Sequence, residues 1–219
     1  MFIYLLIYDI IILGDSMKNE KQLVLFFSKG TKVENTELAL KLYKKFELLG
    51  EPVVIPFNPN NPAQPLIIFN REKLKLNVSI SDISFMYDEE IHKEIYDIVM
   101  DIIDFFEELD YSFERMGYIS TFLHSKKEKE TFKKNIFKEQ SIIDSEFQLS
   151  WYKKELIDSV SVNVWQKGLT DMINKVELVS IYDINTPMDE VYNITGEFMR
   201  DFIKQCDKYI KEKEKEFFD

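Results

Sequence analysis

Three apolar segments, Ile142–Tyr152, Leu156–Gln166 and Val176–Ile184, follow one another with only short connections between them. Parallel strands need a crossover of a dozen or more residues, so strands this close in the chain pair antiparallel. The middle segment alternates, with Val160, Val162 and Val164 on one side and Ser159, Ser161 and Asn163 on the other. That pattern belongs to a strand with one buried face. Lys153-Lys154-Glu155 reads as the turn between the first two segments. A sheet with one apolar face has to bury it under helices.

Helices are signalled at four places. Asn35 or Thr36 opens one that carries Leu38, Leu42, Phe46 and Leu49 on a single face and stops at Gly50. Between Asp88 and Glu114 the chain holds eleven carboxylates and one lysine, interleaved with Ile91, Ile95, Ile98, Val99, Ile102, Phe106 and Leu109. That spacing predicts an amphipathic helix with one core face and one densely negative face. Lys126–Lys138 reverses the charge, with six lysines against Glu128 and Glu130, and sets Phe132, Ile136 and Phe137 inward. Thr186-Pro187-Met188-Asp189 places a hydroxyl at N-cap, proline at N1 and a carboxylate at N3. A long last helix with Val191, Ile194, Phe198, Phe202, Cys206 and Tyr209 on one stripe is expected from there.

Further strand material lies at Gln22–Phe27, Leu66–Phe69, Leu74–Met86 with a bulge or break near Ser81-Asp82, and Phe113–Phe122 with Gly117 at a bend. Five of the six prolines fall in residues 51–65, which predicts an extended connection. The expected fold is α+β: an antiparallel sheet of about five to seven strands, helices on one face, and a long C-terminal helix. No internal repeat is visible, and residues 1–219 read as one domain. Phe2 to Leu13 is too short to span a bilayer and lacks the marks of a signal peptide. It reads as an extra strand, or as an extension upstream of a translation start at Met17.

Charge narrows the function. A net charge of −11 disfavours nucleic acid and anionic membranes as partners and favours a protein with a basic surface. Cys206 is the only cysteine, so neither a disulfide nor a thiolate zinc cluster forms within the chain, which suits a cytoplasmic protein. There is no phosphate-loop or dinucleotide fingerprint and no serine-nucleophile elbow. His92 and His124 belong to no metal motif. No catalytic residue, metal ligand or cofactor is implied. The sequence sets no oligomeric state, and a homodimer is compatible with it.

The expected binding site is a ridge of Glu94, Asp97, Asp101, Asp104 and Glu108 on the acidic helix. Helical neighbours stand about 5–6 Å apart, similar in scale to successive phosphates of a nucleic-acid strand. Such a ridge suits a phage or mobile-element inhibitor that occupies the cationic channel of a host defence complex, a CRISPR effector for example. A secondary basic patch is expected at Lys126, Lys127, Lys129, Lys133 and Lys134. Two other functions compete. Asp97, Asp101 and Asp104 could hold Mg²⁺ in an enzyme acting on a phosphate-bearing substrate. Alternatively, a chaperone- or antitoxin-like binder would use an apolar groove that exposes Trp151 and Trp165.

Leu49-Gly50-Glu51-Pro52, the proline-rich stretch, the strand Leu76–Phe85 and Phe113-Glu114-Arg115-Met116-Gly117-Tyr118 together resemble a sporadically distributed, uncharacterised bacterial family. Its members keep an R-x-G-x motif at the start of a strand after the first long helix. The resemblance covers the middle third of the chain and implies no activity.

Overall fold

The computed structural model describes residues 19–62, 64–88, 92–137, 147–157, 160–171 and 176–218. The expectations for Phe2–Leu13 and for residues 142–146 lie outside the described residues.

The elements run β1 (Glu20–Phe27), α1 (Asn35–Lys45), a 3-10 turn (Glu47–Leu49), β2 (Val53–Val54), β3 (Ile67–Asn70), β4 (Leu74–Val78), β5 (Asp82–Asp88) and α2 (His92–Glu108). They continue with β6 (Phe113–His124), α3 (Lys126–Ile136), β7 (Gln148–Ile157), β8 (Val160–Asp171), β9 (Val176–Asn185) and α4 (Gly196–Phe218). The fold is α+β, with one antiparallel sheet of nine strands in the order β2-β3-β4-β5-β1-β6-β9-β8-β7. That is more than the expected five to seven. The difference has two sources. The bulge or break expected near Ser81-Asp82 is a break: Leu74–Met86 forms a hairpin of two strands, closed where Ser79 N donates to Asp82 O at 2.8 Å. β2 is a two-residue strand inside the proline-rich stretch, too short to be read from composition.

Two other boundaries move. Lys153-Lys154-Glu155 is not a turn: all three sit inside β7, and the hairpin closes beyond Ile157, which pairs with Val160. The last helix does not begin at Thr186. Thr186 is fully buried, and its Oγ1 accepts from Met116 N at 3.1 Å, stitching the end of β9 to β6. The helix is capped nine residues later, where Thr195 Oγ1 accepts from Phe198 N at 3.2 Å. Val191, expected on the apolar stripe, is 82% exposed in the intervening loop.

The order of elements repeats, which the sequence conceals. β1, α1, the β2–β5 meander and α2 are followed by β6, α3, the β7–β9 meander and α4. In each half the first strand pairs with the last strand of its own meander, β1 with β5 and β6 with β9. The two first strands pair with each other, Val24 opposite Gly117, at the centre of the sheet. The repeat lies in the arrangement of strands and helices and not in residue identities, because many apolar sets satisfy the same pattern of burial.

The four described helices cover one face of the sheet. Its core joins Leu23, Leu25, Phe85, Tyr118, Val162 and Tyr182 to Leu38 and Leu42 of α1, Ile102 and Phe106 of α2, and Phe202 and Cys206 of α4. α3 joins through Phe132, which packs so tightly on Gly168 that a Cβ there would lie 3.0 Å from the ring. On the opposite face Ile119, Val179 and Ile181 form a smaller buried cluster. Gln22, buried on that face between Met86 and Ile119, has no hydrogen-bond partner among the described residues for either amide atom.

Candidate functional site

α2 buries Ile95, Val99, Ile102 and Phe106 against the sheet, as its apolar spacing requires. Its acidic side therefore points away from the core, but the five carboxylates do not form one free ridge. Asp97 and Asp101 are exposed, and neither side chain has an ion-pair partner among the described residues. Asp104 is half-exposed and stands 3.6 Å from Arg200 of α4. It also crowds the first turn of α4, where a Cβ on Gly196 would lie 2.8 Å from its Oδ1. Glu108 reaches Lys45 of α1 at 3.6 Å. The side chain of Glu94 lies outside the described residues. Among the described side chains of the expected ridge, Asp104 and Glu108 are thus taken up by cations and Asp97 and Asp101 are not.

Sequence reasoning missed the contribution of α4. Glu197 and Asp201 are exposed on its first turns. Tyr96, half-buried between the two helices, feels Asp97, Asp201 and Arg200, although burial is the main reason its phenol is held above its ordinary value. Glu107 accepts from the Gly196 backbone, so a carboxylate of α2 sits at the positive N-terminal end of α4. Burial, then Asp104, raise the Glu107 carboxyl above its usual range. The surface is an acidic crest shared by two helices, with Arg200 set into it.

The basic patch is also smaller than expected. Lys126, Lys127 and Lys134 are exposed and Lys129 is half-buried. Lys133 is buried, with Nζ 5.8 Å from the Phe147 ring, and is not available to a partner. Its place in the helix puts it on the inward face beside Phe132.

His124 lies at the centre of a polar cluster between β6, β9, α3 and α4. Its Nε2 is 2.7 Å from Ser180 Oγ and 3.6 Å from Glu214, and its Nδ1 is 3.9 Å from Glu128. Ser180 Oγ donates to Glu214 at 3.1 Å, and the Tyr182 hydroxyl donates to the same carboxylate oxygen. A serine beside a histidine invites comparison with a nucleophilic triad. The geometry opposes it. Ser180 is 3% exposed, and Phe218 stacks on the imidazole at 4.0 Å, leaving no open position for a reacting carbonyl. The cluster instead fastens the end of α4 to the sheet.

Among the described residues no group of three or more His, Cys, Asp or Glu is placed to hold a metal ion. Asp97, Asp101 and Asp104 run along the helix and do not converge. Trp151 is half-buried against Phe217 at 5.8 Å, and Trp165 packs on Tyr152 at 4.5 Å on the opposite face, so the two indoles share no groove. An open cleft of about 780 Å³ beside Tyr43, Lys44, Glu47, Asn70 and Arg71 carries balanced charges. No helix among the described residues is long and apolar enough to cross a membrane. Compared with known proteins, the sequence matches no family model and no curated relative.

Proposed function

We propose that the chain is a non-catalytic binding protein whose contact surface is the acidic crest of α2 and the first turns of α4. Its partner is a protein with a cationic, nucleic-acid-binding channel. An inhibitor of a host defence complex, such as a CRISPR effector, is the concrete form of this reading. One observation carries it: Asp97 and Asp101 stand exposed one helical turn apart, with no ion-pair partner among the described residues, on a chain of net charge −11. Unpaired like charges on one helix face cost stability. A cationic partner would relieve that repulsion and gain on-rate from long-range attraction.

The test is capture of nucleic-acid-binding host proteins on immobilised wild type and on a variant carrying Asp97→Asn and Asp101→Ser. The buffer holds about 0.1 M salt, where the Debye length is about 10 Å. The variant should lose the captured proteins, while Glu108→Gln, already engaged with Lys45, should keep most of them. Equal capture by wild type and the double variant would overturn the reading.

A further inference from the structure

The two ends of the sheet are built differently. The β2 end is two residues long and bracketed by Pro52 and Pro56. Prolines and shortness are devices that keep a sheet edge from pairing with another chain. At the other end β7 runs ten residues without a proline. Among the described residues its meander has three strands, against four in the first half.

Among the described residues, no strand pairs with the outer edge of β7. Thr170 N donates to Phe147 O at 3.1 Å, so odd-numbered residues turn their backbone groups toward β8. Gln148, Ser150, Tyr152, Lys154 and Leu156 therefore turn theirs outward, and all five are exposed. Tyr152 is 44% and Leu156 75% exposed.

We propose that β7 pairs antiparallel with β7 of a second copy about a dyad at Tyr152, joining two sheets into one. This register hydrogen-bonds Gln148 with Leu156, Ser150 with Lys154, and Tyr152 with its twin. It uses every outward-facing residue and sets no like charges opposite one another. A register centred on Lys154 would oppose two lysines and strand Gln148. On the helix-covered face Lys153 and Glu155 already pair with each other at 2.5 Å, so neither enters the junction uncompensated. The pairing consumes both long edges and leaves only the two proline-guarded ones, which closes the assembly at two chains.

Sedimentation equilibrium of the full chain across the micromolar range tests this. The expected species has twice the 26.2 kDa mass of the chain. Ser150→Lys would oppose Lys154 of the partner twice per dimer and should weaken association roughly fivefold, while Ser150→Glu should tighten it by a similar factor. In a Lys154→Glu background the two effects should exchange sign. Lys154→Pro removes an outward N–H and leaves the β7–β8 ladder whole, so it should yield a folded monomer by circular dichroism. If that variant unfolds, the Ser150 pair still decides. A monomer at every concentration overturns the proposal, as does a dimer indifferent to both Ser150 substitutions.

Discussion

Lys21 on β1 places its Nζ 3.0 Å from Asp207 Oδ1 on α4, joining the first described strand to the last helix across 186 residues. Both groups lie in the core layer. Lys21 also donates to Ser120 Oγ at 3.0 Å and lies near the rings of Tyr118 and Phe122, and the Tyr118 hydroxyl donates to Asp207 at 2.8 Å. A buried ion pair contributes little net stability when intact, but losing one partner leaves the other charge stranded. Asp207→Ala should therefore cost about 3 kcal/mol in urea unfolding. Adding Lys21→Met to it should recover roughly half of that loss. If the double variant is no better than the single one, the lysine was not the stranded charge.

His124 predicts a pH dependence. Burial holds its imidazole below the ordinary value, against the raising pull of Glu128. The groups facing it are Glu128 from α3, Glu214 from α4, and Ser180 and Tyr182 from β9. The unfolded chain binds the proton more readily than the native one. Stability is therefore full above the unfolded value near 6.5 and falls as the pH drops below it. His124→Gln should flatten the loss of denaturation midpoint between neutral pH and about pH 5. An identical slope in the variant would assign the loss to other groups.

Gln22 should be replaceable with profit. Both atoms of its buried amide lack a partner, and an unsatisfied buried polar group costs about 1–3 kcal/mol. Gln22→Met keeps the shape, so thermal unfolding should move upward, by the equivalent of about 1 kcal/mol. A lower midpoint would mean that the amide is satisfied in solution.

Gly50 ends the 3-10 turn with φ 72° and ψ −165°, a region that is essentially glycine's own. A Cβ there would also lie 2.2 Å from Arg71 Nε. Gly50→Ala should cost about 1–3 kcal/mol. Adding Arg71→Ala should remove only the steric share, so a complete rescue by that second change would show that the backbone was not strained.

The helices of this protein were legible where a stripe of apolar residues fixed them, as at Leu38, Leu42 and Phe46 or at Val99, Ile102 and Phe106. Caps were less so. Thr186-Pro187 imitates a helix start, but the threonine is spent on Met116, and Thr195, unmarked by any neighbour, does the capping. Charge misled in the same way at Lys153–Glu155, where lysines that suggest a turn instead line an edge strand. The acidic ridge was visible as a sequence of carboxylates, but Arg200 and Lys45, which take up Asp104 and Glu108, come from distant segments. Spacing along one helix cannot report on what a second helix places beside it. The basic patch shrank for a related reason, since Lys133 looks like its neighbours in the sequence and is buried under Phe147.

The central position of β1 sets a schedule for synthesis. Its two neighbours in the sheet are β5, which ends at Asp88, and β6, which ends at His124. As the chain leaves the ribosome, this strand waits through some sixty residues before either side can be satisfied. In that interval Leu23, Leu25 and Phe27 present a bare strand with two open edges to the cell. Nascent-chain chaperones should therefore hold translation intermediates that end before Asp88 and release those that extend past His124.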